Sequence, residues 1–162
     1  MGNYKKLFTI ILFLILSSCN FMPNADESKM KKVFKKPTLN KISGSWEIDK
    51  FSYSFINESL NLKDNRIILT LNSDNTFEVT NYPKFDAFGI VKDSISKSYK
   101  GQWKFKKAYN KKSYNLILED FSQKIVWAKE FVLYDKKNSG LILWKFVGDP
   151  DSGNRMMFKK IN

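Results

Sequence analysis

With 162 residues the chain is long enough to bury one core without staples, and its 28 Lys and Arg against 16 Asp and Glu leave a formal charge of +12. The absence of histidine and the presence of a single cysteine remove the usual neutral-pH base, the commonest metal ligand and any internal disulfide. Apart from Arg66 and Arg155 the basic residues are all lysine. Such loose, hydrated point charges suit an anionic membrane, an acidic polysaccharide, a nucleic acid, or simply a solvated surface.

Lys5 and Lys6 precede an apolar run from Leu7 to Leu16, and Ser17, Ser18 and Cys19 follow directly. A helix over that run rises about 15 Å, half of a ~30 Å hydrocarbon layer, so the segment reads as a signal peptide over 1–18 and not as a permanent span. Leu16-Ser17-Ser18-Cys19 resembles the bacterial lipobox. The resemblance implies cleavage before Cys19, a diacylglycerol on its thiol and an acyl chain such as palmitate on the new amine, which anchors the protein to a membrane through lipid. Lys6 stands where N-myristoylation needs Ser or Thr. Asn20 lacks the aspartate that retains such proteins at the inner membrane of enterobacteria, which points to a cell-envelope location at the outer membrane.

Residues 19–40 form a lipidated tether, interrupted by Pro23 and Pro37. Within it Asp26–Lys36 suits either a few helical turns, capped by Asp26 with Met30, Val33 and Phe34 on one stripe, or an unstructured spacer. The folded body is expected over 41–162. Its first strand is expected from Ile42 to Ile56, with a one-residue slip at Asp49-Lys50 read as a bulge, because Trp46 and Ile48 share one parity and Phe51, Tyr53 and Phe55 the other.

Arg66–Asn72 alternates Ile67, Leu69 and Leu71, and after Ser73-Asp74-Asn75 the run Thr76–Thr80 returns with Phe77 and Val79. Residues 81–98 break the rhythm around Pro83 and Gly89; Phe85, Phe88 and Ile90 there suit a lid, an irregular hairpin or closure of the core. Tyr99–Lys106 alternates most cleanly, with Tyr99, Gly101, Trp103 and Phe105 opposite Lys100, Gln102, Lys104 and Lys106. Strands Tyr114–Glu119, Ile125–Tyr134, Leu141–Val147 and Arg155–Lys160 follow, the last two pairs joined through turns at Asn138-Ser139-Gly140 and Asp151-Ser152-Gly153. Eight short antiparallel strands predict an all-β fold, a small closed barrel whose interior holds side chains or one small ligand.

Leu39-x4-Gly44-x-Trp46, Leu69-x-Leu71-x2-Asp74-x-Thr76-Phe77, Gly101-x-Trp103 and the strand after Gly148–Arg155 together resemble the lipocalin-like lipoproteins of Bacteroidetes-type bacteria, over roughly residues 39–160. The likeness implies structural roles for Gly44 and Trp46 at the closed end of the barrel. It also implies that Arg155 covers the Trp46 indole, tying first strand to last. The Thr-Asp-Tyr motif and disulfide of the better-known lipocalins are not in this sequence.

Chemistry has few candidates. Glu119 with Asp120, or Asp149 with Asp151, are the acidic pairs, and Gly148–Gly153 carries oxygens for a weak cation site or for its own amides. No catalytic residue, metal or cofactor is expected, and the protein is not expected to be an enzyme or, being exported, to bind nucleic acid. Binding is better motivated: Trp103, Phe105, Trp127 and Phe131 suit the lining of an apolar cavity, with Lys145, Lys129 or Glu130 at its mouth. The expected function is thus that of a membrane-anchored envelope lipoprotein binding a small hydrophobic or amphipathic ligand. The alternative is a filled barrel that binds an envelope protein partner.

Overall fold

The computed structural model describes residues 29–60, 66–85, 97–120, 127–137 and 140–161. Nine strands and two helices run through them: β1 (Met30–Lys32), α1 (Leu39–Ile42), β2 (Gly44–Ile48), α2 (Lys50–Leu60), β3 (Ile68–Leu71), β4 (Thr76–Tyr82), β5 (Lys97–Lys107), β6 (Tyr114–Asp120), β7 (Trp127–Lys136), β8 (Gly140–Phe146) and β9 (Arg155–Lys160). Strands β2 to β9 pair antiparallel in chain order, and β9 pairs back onto β2, closing an eight-stranded barrel. The all-β barrel expected from the strand spacing is the fold; β1 is a ninth strand outside the ring.

Alternation decides what fills the barrel. Trp46, Leu69, Leu71, Phe77, Val79, Trp103, Leu116, Leu118, Phe131, Leu133, Leu143 and Phe158 are all buried in one cluster, while their neighbours along each strand face outward. Several of these side chains, Trp46, Phe131, Leu143 and Phe158 among them, have no accessible surface at all. A side chain without accessible surface borders neither solvent nor a void that would admit water, so the middle of the barrel is packed solid around them. Phe131 and Phe158 meet edge to face at 5.7 Å.

The first strand is shorter than expected. It stops at Ile48, and α2 begins at Lys50. Asp49 is the reason: its carboxylate accepts from the Ser52 amide (2.9 Å) and hydroxyl (2.6 Å), and its carbonyl accepts the first helical bond from Tyr53. Ser52, fully buried, in turn accepts from the Met157 amide at 2.9 Å, which pins the start of α2 to β9. The parity change that suggested a bulge is a change of period from 2 to 3.6, with Ser52 and Ile56 one helical turn apart and both buried. Asp49→Ala should therefore lower stability by about 1–2 kcal/mol while Asp49→Asn keeps most of it, read from urea midpoints.

The tether also differs from expectation. Met30–Lys32 is a strand, not a helical turn, and pairs with Tyr134–Lys136 of β7. It takes over that edge of β7 where β6 leaves it, since β6 pairs only as far as Val132. Val33 continues the seam, donating to the Leu133 carbonyl (3.0 Å) and accepting from the Tyr114 amide (3.1 Å). The remaining arm crosses one end of the barrel, with Lys36 5.5 Å above the Phe105 ring, and enters β2 through α1. Asp26 and the leader lie outside the described residues.

At this closed end Trp46 is fully buried and donates to the Ile42 carbonyl at 3.0 Å. Gly44 has φ +124°, and a Cβ there would come within 2.9 Å of the Lys160 side chain. Lys160 stands opposite Trp46 in the ladder and donates to the Asn40 and Lys41 carbonyls, both at 3.2 Å. The tie between first and last strands at Trp46 is therefore made by Lys160. The expected cover by Arg155 is not found: Arg155 lies at the other end of β9, its guanidinium 3.9 Å above the Phe51 ring of α2.

Candidate functional site

The predicted lining residues fall into two groups. Trp103 donates from its indole to the Asn72 carbonyl (3.0 Å) in the β3–β4 turn, and Phe105 stacks between Trp103 (5.5 Å) and Tyr114 (6.5 Å). Both belong to the closed end, where they seal the barrel against the arm. Phe131 and Lys145 lie together instead: the Lys145 ammonium is 5.8 Å from the centre of the Phe131 ring. Trp127 pairs with Asp120 at the start of β7, on the parity of Lys129 and Phe131.

Strand register explains the second group. Val132 stands opposite Trp144, which places Lys145 beside Phe131, with Lys129 one step farther along the same inward face. The next inward position of β6 after Leu118 is Asp120, which is buried, and Tyr99 and Tyr82 follow on β5 and β4, their rings edge to face at 6.3 Å. The barrel interior is thus apolar through its middle, and at the end away from the arm these polar groups share the interior with Ile48, Ile56, Ile67 and Val147. Sequence alternation marks Lys129 and Lys145 as inward, but the strand shear that brings them together is not written in any one strand.

Burial has consequences for these groups. It pushes the Lys145 ammonium down to about 8, helped by the charge of Lys129, and it lowers Lys129 as well. It raises the Tyr82 phenol well above its ordinary range, with Tyr99 adding to the effect, and raises Tyr99, with Asp120 adding to it. Lys145 has no carboxylate partner among the described residues; its neighbours are an aromatic face and a second cation. This arrangement offers cationic charge to an acidic group at the edge of a filled core.

The acidic pairs do not converge. Glu119 faces outward and pairs with Lys104 at 2.7 Å, while Asp120 faces inward. Asp149 accepts from the Asp151 amide at 2.9 Å, capping a short 3-10 turn over Pro150–Ser152. Among the described residues no cluster of Cys, Asp or Glu could hold a metal ion, and no helix is long and apolar enough to cross a membrane. Cys19, Phe88 and Ile90 lie outside the described residues. No protein-family model, curated protein or solved structure matches the chain.

Proposed function

We propose that this chain is a lipid-anchored protein of the cell envelope whose barrel binds a small amphipathic acid at the end away from its tether. The observation that supports this is the inward Lys145, held over Phe131 and beside Lys129 without a carboxylate of its own. A half-buried ammonium disfavours folding, and leucine or methionine would fill the same position at less cost. An acidic ligand group supplies the missing counter-charge, above a floor formed by the fully buried Phe131 and Met156. Because the core beneath is filled, the site is shallow and takes a compact molecule. A lipocalin-like affiliation is in keeping with the closed barrel and with Gly44 and Trp46 at its start. Lipid attachment at Cys19, residence at the outer membrane and a non-catalytic role rest on the leader and on the poverty of catalytic groups.

The test is fluorescence titration of the chain from Asn20 with anilinonaphthalene sulfonate, an acidic amphipathic probe. Saturable binding that Lys145→Gln weakens about tenfold or more is expected, the loss of one charged contact. Equal binding by both proteins would sink the assignment.

One observation favours a second reading, a filled barrel that docks an envelope protein. Tyr134, Trp144 and Phe146 form an aromatic ladder on the outer face of β7 and β8, with ring separations of 5.8 and 4.4 Å. Cross-linking in intact cells that traps a partner through Trp144 would favour it.

A further inference from the structure

The arm, a dense lysine cluster and, among the described residues, four of the six exposed large apolar side chains meet at the closed end of the barrel, and we propose that this end docks on an anionic lipid bilayer. The Lys145 end would then face away from the membrane. Lys29, Lys31, Lys32, Lys35, Lys36 and Lys41 lie in the arm and α1, a stretch without a single carboxylate. The end of β5 adds Lys106 and Lys107 and its connection to β6 adds Lys111 and Lys112, again without an acid, and Lys137 closes the β7 side. Among the described residues Asp74 and Asp135 bring negative charge to this end, and the Asp74 carboxylate is engaged by Thr76 within its own turn.

Charge alone would suit any polyanion. The exposed apolar side chains select a bilayer. Phe34 is 61 % exposed, Tyr109 fully so, and Leu39 and Ile161 are exposed as well; all four lie on the arm, on the β5–β6 connection or beside the end of β9. The other two exposed large apolar residues among those described, Phe51 and Phe146, face Arg155 and Trp144 instead. Lysines ringed around aromatic tips are what a headgroup layer with an apolar interior rewards, whereas a polysaccharide or nucleic acid has no such interior to receive Phe34.

The chain enters the fold at the same end. Met30 pairs with Lys136 at the β7–β8 turn, eleven residues after Cys19. Eleven residues reach about 40 Å at most, however they run. If Cys19 carries lipid, as proposed above, the closed end is confined to the neighbourhood of the bilayer.

The experiment uses the chain from Asn20 to Asn162, which lacks the acylated cysteine but keeps every described element. It thereby separates docking from lipid attachment, and failure of one leaves the other standing. Co-sedimentation with phosphatidylcholine vesicles containing phosphatidylglycerol is expected, weakening as salt rises, with none on pure phosphatidylcholine. Lys35→Gln, Lys41→Gln and Lys112→Gln combined should weaken binding about a hundredfold, taking about fivefold per lysine near an anionic surface. Removing the same charge at the other end, with Lys50→Gln, Lys84→Gln and Lys97→Gln, should leave binding nearly unchanged. Phe34→Ser with Tyr109→Ser should weaken binding without any change of charge. Equal losses from the two lysine sets, no loss from the aromatic pair, or stronger binding to heparin than to the vesicles would each overturn the proposal.

Discussion

Lys145→Met should make the protein more stable and, in the same step, remove its affinity for acidic probes. Lys145 is held near 8 in the folded chain against an ordinary 10.5. A lysine depressed by that much costs the folded state roughly 1–3 kcal/mol while both states carry the charge. Below about pH 8 that cost is present in full. Between about 8 and 10.5 the folded protein sheds its proton while the unfolded chain keeps one, so wild-type stability rises with pH through this window. Above 10.5 both forms are neutral and the penalty is gone.

Urea denaturation of wild type and Lys145→Met across this range should therefore show the variant ahead at pH 7 and the gap closing toward pH 10. Tyr82 and Tyr99, both raised, act in the opposite direction above about pH 10, where unfolded tyrosines ionise. They are common to both proteins and cancel in the difference. The affinity of a permanently charged sulfonate should follow the same titration, falling as pH passes 8. A gap that does not change with pH, or a variant less stable than wild type at neutral pH, would show that Lys145 is not held as a buried cation.

Gly101→Ala should be severely destabilising. A Cβ at Gly101 would sit 2.1 Å from the Glu119 carbonyl oxygen and 3.0 Å from the Asp120 Cα. Both are backbone atoms of β6, so no side chain can swing aside; β5 and β6 would have to part beside the Gln102–Glu119 pair. Overpacking in cores costs about 1–3 kcal/mol where side chains yield, and here about 3 kcal/mol or more is expected. Gly140 supplies the comparison. It has φ +70° but nothing within 4 Å of a Cβ, so Gly140→Ala carries the left-handed backbone penalty alone, about 1 kcal/mol. Thermal midpoints of the two variants measured side by side test the difference.

Where the period of two runs unbroken, the sequence is enough to read the wall of the barrel. Arg66–Asn72 and Tyr99–Lys106 show their inner faces residue by residue, and Ser73-Asp74-Asn75 marks where β3 reverses into β4. Legibility ends where one period gives way to another. Asp49 followed three residues later by Ser52, with Ile56 a further turn on, is a helix start that strand parity disguises as a bulge. β1 is illegible for a different reason: Met30–Lys32 is held by the edge of β7 that β6 leaves open, and nothing in those three residues announces that vacancy. The polar end of the interior is half legible. Lys129 and Lys145 can be placed on the inward face one strand at a time, but their proximity depends on the stagger between β7 and β8. Whether aromatic residues line a cavity or fill one is also beyond alternation, which assigns a face and no volume.

The seam that β1 makes has a mechanical side. Met30–Lys32 is the only described pairing on that edge of Tyr134–Lys136, and Val33 bridges β7 to β6 immediately after it. Tension on the amino end of the chain is therefore borne first by this short ladder at the rim, and the sealed ring of eight strands is spared until it yields. Peeling it away would bare three residues of unpaired strand, a sticky margin ready to recruit a foreign segment.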